Sequence, residues 1–173
     1  AAGSGDAFLL HGCCHNPTGI DYSNAQWDEI AALFAERQVL PILDLAYQGL
    51  GHGMEEDAYG VRQVLSQVPE ALVAQSCDKN FGLYRDRTGA LYAMMAEPGQ
   101  LPLPITNLHA LARANWSQPP DHGAAAVRLS TASCTNASSS ASASLWGTCF
   151  CACAAAMAGS FKRAVSVMVA FRE

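Results

Sequence analysis

Hydrophobic positions along this chain fall into two kinds of block. Short apolar runs at Ala7–Leu10, Val39–Leu43, Ala71–Gln75 and Ala90–Ala96 read as buried strands. Between them lie longer stretches with helical period. Trp27, Ile30, Ala31 and Phe34 share one helical face, and Asp28, Glu29, Glu36 and Arg37 take the other. Ser23 opens that segment, and Gln26 is placed to complete a capping box. Val61, Val64, Leu65 and Val68 mark a second amphipathic helix, stopped by Pro69. The order strand, helix, strand, helix, strand predicts an α/β domain, a mostly parallel sheet with helical crossovers. Pro41 counts against a central place for its strand, because it brings no N–H to the ladder. Further on, Pro98-Gly99 breaks the fourth run, Leu101–Pro104 reads as loop and Asn107–Arg113 as helix.

Composition narrows this picture. At 173 residues the chain has the length of one domain or a little more, and with 50% hydrophobic residues it can bury a sizeable core. A net charge of -5 argues against a nucleic-acid partner. No apolar run reaches the length needed to cross a bilayer, so no membrane partner is expected. The seven cysteines form no disulfide framework and no signal peptide precedes them, so reduced thiols and a cytoplasmic location are expected. The first residue is neither a methionine nor part of a hydrophobic leader, and the chain is expected to begin inside a longer protein.

Two tempting sites are set aside. His11, Cys13, Cys14 and His15 can be drawn as a zinc site, yet adjacent ligands lack the spacing of paired zinc ligands, and small thiols packed in a loop are the simpler reading. Gly49, Gly51 and Gly53 around His52 lack the later spacing and the strand-turn-helix setting of a dinucleotide fingerprint. No metal is expected.

The segment that carries chemistry is Ser76-Cys77-Asp78-Lys79-Asn80-Phe81-Gly82-Leu83-Tyr84-Arg85-Asp86-Arg87. Burial near a strand end favours a neutral lysine amine, and a neutral amine attacks an aldehyde. Serine and arginine nearby suit a phosphate, by hydrogen bond and by bidentate ion pair. Taken alone, Lys79 is no more than a solvated surface lysine. Asp44 ends the second strand, at the carboxyl edge where parallel α/β sheets bind ligands, although an aspartate there also serves as a cap or turn former.

The Lys79-Asn80-Phe81-Gly82-Leu83-Tyr84 run resembles the lysine segment of the class I aminotransferases, the aspartate and aromatic amino-acid enzymes of the fold-type-I pyridoxal phosphate family. His15-Asn16-Pro17-Thr18-Gly19, Asp44-Leu45-Ala46-Tyr47-Gln48-Gly49 and Arg113-Ala114-Asn115-Trp116-Ser117-Gln118-Pro119-Pro120 resemble the same family, in the same order. The likeness runs from the start of the chain to about Leu129. It implies that residues 1–129 are the C-terminal part of a large, cofactor-binding domain. It implies pyridoxal 5'-phosphate as cofactor, with Lys79 forming the internal aldimine, Asp44 on the pyridine nitrogen, and Tyr47 and Asn16 on the phenolic oxygen. Ser76 and Arg87 would take the phosphate, Arg87 being favoured over Arg85 by spacing. Asn16 would also meet the substrate carboxylate, and Arg113 would reach across a homodimer to a distal carboxylate. The family's usual asparagine before the paired prolines is Gln118 here.

The implied function is amino-group transfer between an aromatic or acidic L-amino acid and a 2-oxo acid. The family's glycine-rich phosphate loop, ring-stacking aromatic and alpha-carboxylate arginine have no counterpart in this chain, so the isolated chain is expected to be inactive. A beta-lyase or decarboxylase of the same fold type would share Lys79 and Asp44, and a non-catalytic remnant would use neither. From Ser130 the composition shifts to serine, alanine and cysteine. Residues 130–173 are expected to form an off-family, irregular and poorly ordered tail. Ala154–Ala158 and Phe161–Phe171 are read as weakly helical, and Cys149, Cys151 and Cys153 are too closely spaced to chelate well.

Overall fold

In the computed structural model, residues 2–117, 121–135 and 164–170 are described. The element order is β1 (Ala7–His11), α1 (Asn24–Arg37), β2 (Leu40–Leu45), α2 (Tyr59–Gln67), β3 (Ala71–Ser76), β4 (Thr88–Met94), a short 3-10 turn (Pro98–Gln100), α3 (Pro102–Trp116), α4 (His122–Thr135) and β5 (Ala164–Ala170). One sheet runs in the order β1-β2-β3-β4-β5. β1, β2 and β3 are parallel neighbours, joined by α1 and α2, while β4 is antiparallel to β3 and β5 antiparallel to β4. The fold is α/β, and over its first four strands mostly parallel.

Local chemistry explains the first helix. Ser23 Oγ accepts from the Gln26 amide at 3.3 Å, and Gln26 Oε1 accepts from the Ser23 amide at 2.9 Å, so the capping box satisfies two donors that a helix start leaves over. Gln38, in the left-handed region at φ 54°, ends the helix. Trp27, Ala31 and Phe34 are buried against Leu43, Leu45, Val61, Val64 and Val73. α1 and α2 pack together, and Gly60 is where they meet. A Cβ there would overlap the Trp27 indole. Gly60→Ala is therefore expected to cost about 1–3 kcal/mol by overpacking. That exceeds the roughly 0.5–1 kcal/mol that alanine gains over glycine in a helix. A urea unfolding midpoint no lower than that of the parent chain would refute it.

Three expectations are corrected here. β2 is a central strand despite Pro41. Leu40 donates to Asp6 O at 2.9 Å and Asp44 O accepts from Gly12 at 2.7 Å, so the even-numbered residues of β2 bond to β1. Pro41 turns its missing donor the other way, and the pairing with β3 begins only at Ile42–Leu72, so no ladder bond is lost. α3 begins at Pro102 rather than near Asn107, since proline is tolerated in a first helical turn, where its N–H has no acceptor. Ala164–Ala170 is a strand rather than a helix. Its β-branched Val165, Val167 and Val169 suit a strand, and the segment pairs with β4 from Thr88–Ala170 to Met94–Ala164. α4 runs unbroken across Leu129. The expected helix at Ala154–Ala158 and the cysteine alternation at 149, 151 and 153 lie outside the described residues.

Strand periodicity positions the site. In β2 the odd residues Pro41, Leu43 and Leu45 are buried while Leu40, Ile42 and Asp44 are half-buried. In β3 Ala71, Val73 and Gln75 are buried and Leu72, Ala74 and Ser76 half-buried. Asp44 pairs with Ala74, so Asp44 and Ser76 share the sheet face opposite the helices.

Candidate active site

The carboxyl ends of β2 and β3 each deliver one polar side chain to that face, Asp44 and Ser76. The connection from β3 to β4, residues 77–87, supplies the rest. It is closed by Cys77, whose amide donates to Thr88 O at 2.8 Å, and turned by Gly82 at φ 68°. Asp44, Ser76, Lys79 and Arg87 line a single cavity of about 200 Å³. Lys79 Nζ lies 5.1 Å from the Tyr47 ring centroid, within reach of a cation–π contact. Asn16 Nδ2 donates to the Tyr47 hydroxyl at 3.2 Å. The structure thus joins Asn16, Tyr47 and Lys79 on one side and Asp44, Ser76, Lys79 and Arg87 on the other, with Lys79 common to both. Arg113 stands apart, exposed in the last turn of α3, with Nη1 donating to Ser117 O at 3.2 Å. Arg85 is exposed and does not line the cavity.

The anion-binding side has a member that the motif reading passes over. Asp78 is buried, and its Oδ2 accepts from Arg87 Nη1. Its Oδ1 accepts from the Thr88 amide at 3.0 Å, and its own amide donates to Ser76 Oγ at 3.0 Å. Arg87 Nε is buried with no hydrogen-bond partner. The sequence signal was an acid beside the lysine; only the hairpin-like return of residues 77–87 shows that it meets an arginine.

Behind the site lies a buried amide network. Gln75 Nε2 donates to Gln48 Oε1 at 2.9 Å, Tyr92 Oη donates to Gln75 Oε1 at 3.1 Å, and Gln48 Nε2 donates to Met54 O at 2.9 Å. Asn80 Nδ2 reaches Gln48 O at 3.4 Å. Gln48 follows Tyr47, Gln75 precedes Ser76 and Asn80 follows Lys79, so the network sets three site-bearing segments relative to one another. The glycine loop is held in a similar way. Asp57, also buried, accepts from the amides of Gly49, Gly51 and His52 at 2.8, 3.0 and 2.8 Å. The repeated glycines follow a carboxylate rather than a nucleotide.

Cys13, Cys14 and Asp57 have ligand atoms within 4.8 Å of one another, while the rings of His11 and His15 face each other at 4.6 Å between centroids. The imidazoles and thiols do not form a joint cluster. Burial, and then the Asp57 carboxylate, push both thiols above the usual cysteine range. At pH 8 Cys13 and Cys14 are therefore expected to react with iodoacetamide many-fold more slowly in the folded chain than in urea. Equal rates by peptide mass mapping would contradict this.

An amine, a carboxylate and an arginine thus meet at the carboxyl edge of parallel strands backed by two crossover helices, the edge where α/β sheets bind ligands. Comparison with known proteins narrows the class. Residues 1–143 match the family described as aminotransferase class I and II. The tyrosine aminotransferase of Rhizobium meliloti (strain 1021) is 58% identical over 127 residues, 73% of this chain and 33% of that protein. The aspartate aminotransferase of Escherichia coli (strain K12) is 47% identical over 126 residues, 73% of this chain and 32% of that protein. Among solved structures, an aromatic amino acid aminotransferase with 3-indolebutyric acid superposes with a TM-score of 0.69 at 52% identity, over 72% of this chain and 32% of that one. The aromatic-amino-acid aminotransferase from Burkholderia pseudomallei, described as covalently bound to pyridoxal phosphate, gives 0.66 at 38% identity, over 70% and 30%. The chain belongs to the class I and II aminotransferase family. It spans about a third of the length of the curated relatives it matches.

Proposed function

We propose that this chain carries the lysine, the ring-binding aspartate and part of the phosphate grip of an aminotransferase that uses pyridoxal 5'-phosphate. Its reaction moves an amino group between an aromatic or acidic L-amino acid and a 2-oxo acid. The observation that carries this reading is the convergence of Asp44, Ser76, Lys79 and Arg87 on one cavity. The residues present fit the cofactor. The buried, unpartnered Nε of Arg87 is a donor waiting for an anion, and a carboxylate and an amine share the same cavity.

When bound, the cofactor supplies an aldehyde and a ring that accepts electrons from the substrate's alpha carbon. Asp44 would pair with the ring nitrogen and keep a proton on it. Tyr47 Oη and Asn16 Nδ2 donate hydrogen bonds towards the phenolic oxygen, and Asn16 also towards the substrate carboxylate. Ser76 Oγ and Arg87 hold the phosphate. Lys79 Nζ would hold the cofactor through its aldehyde and, when its amine is free, would take the proton from the substrate's alpha carbon as base and return it as acid. Residues 1–129 belong, on this reading, to the large domain of a homodimeric enzyme, where Arg113 serves the partner's site by pairing with a distal substrate carboxylate. The relatives named as tyrosine and aspartate aminotransferases support both donor classes.

The chain contains two lysines, Lys79 and Lys162. Incubation with pyridoxal phosphate, borohydride reduction and peptide mapping are expected to place the label on Lys79. Label confined to Lys162 or the terminal amine would overturn the reading.

A further inference from the structure

We propose that Asp78 is a positioning residue that acts through Arg87 as a counter-charge on the phosphate grip, sharing the guanidinium with the bound anion and so weakening its hold. This rests on the pyridoxal phosphate reading above. Asp78 is only 3% exposed, and both of its oxygens are engaged, one by Arg87 Nη1 and one by the Thr88 amide. It also touches Ser76, whose Oγ accepts the Asp78 amide proton. One acidic residue therefore contacts each of the two groups that close on a phosphate.

Arg87 is not free to leave this carboxylate. A buried charge stripped of its one cationic partner is strongly destabilising, so the pair persists when an anion arrives. The guanidinium has five N–H donors in a fixed plane. Nη1 is committed to Asp78 and also approaches Tyr84 O at 3.4 Å. Nε is buried and unpartnered, so the anion meets the Nε side. The guanidinium then stands between two anions with one positive charge to share. Asp44 and Asp78 balance Lys79 and Arg87 around the cavity, which leaves its lining formally neutral before any phosphate enters. In a partly buried site a neutral grip attracts a phosphate far less than a cationic one does.

Asp78→Asn keeps the size of the side chain and an acceptor for the Thr88 amide while removing the charge. It is expected to bind inorganic phosphate and pyridoxal phosphate about tenfold or more tightly than the parent chain. Pyridoxal, which has the aldehyde and ring but no phosphate, should trap on Lys79 equally well in both. Phosphate binding is followed by 31P NMR titration and aldehyde uptake by borohydride trapping, each alongside urea unfolding. Asp78→Ser, which also offers an acceptor to the amide, replaces the asparagine variant if that one does not fold. A purely structural role for Asp78 would change all three ligands together. Unchanged or weaker phosphate binding in the variants, or an equal gain for pyridoxal, would overturn the proposal. If Lys79 of the parent chain traps neither aldehyde, the pyridoxal phosphate reading falls, and the inorganic phosphate titration still judges Asp78.

Discussion

Lys79→Ala is expected to abolish borohydride-trapped pyridoxal phosphate, with no residual label above that at Lys162. The imine needs a primary amine, and Lys79 Nζ is the amine placed between the Tyr47 ring and the cavity that holds Asp44 and Arg87. Lys79→Arg should fail in the same way, because guanidinium stays protonated and does not form the imine. Both variants should leave stability within about 1 kcal/mol, since Lys79 is half-buried and, among the described residues, makes no ion pair and has the Tyr47 ring as its one aromatic contact. Asp44→Ala is expected to show a lesser defect, with trapping weakened rather than lost, because on the proposed reading it removes the partner of the ring nitrogen while the amine remains. Undiminished trapping in Lys79→Ala would remove the basis for the proposed reaction, whatever the other variants did.

Asp57→Ala is expected to lower stability by about 3–5 kcal/mol, the largest loss among the polar substitutions considered. A buried carboxylate that accepts three backbone amides makes three charge-assisted bonds, each worth about 1.5–3 kcal/mol and not fully additive. Alanine would leave the amides of Gly49, Gly51 and His52 without their acceptor at the turn that follows Tyr47. Asp57→Asn should lose less, because one oxygen still accepts. Urea unfolding measures the loss, and hydrogen exchange at those three amides localises it. A fall below 1 kcal/mol would mean that the glycine loop is held by something other than this carboxylate.

Some of this was legible in the chain itself. The capping box at Ser23 and Gln26, the buried face of Trp27, Ala31 and Phe34, and the apolar runs of β2 and β3 follow from local rules, each decided within a few residues. Asp44 at a strand end was legible for the same reason, and the four motifs around Asn16, Asp44, Lys79 and Arg113 pointed to the family. Other features were hidden because they depend on neighbours distant in sequence. Pro41 is harmless only because pairing with β3 starts one residue later. β4 turns back antiparallel, so the lysine lies in a hairpin-like connection rather than a crossover. Asp57 and Gln48 give no pattern of their own, since a clamp and an amide network are defined by what folds against them.

Local periodicity and short motifs pointed to the first four strands, the first two helices and the candidate residues of the site, because hydrophobic spacing and end-capping act over one or two turns of chain. The tertiary structure alone decided which charges meet. Asp78 and Arg87 are nine positions apart, with Gly82 and a turn between them. A one-dimensional reading counts that spacing but cannot see an ion pair that exists only once the return into β4 is made.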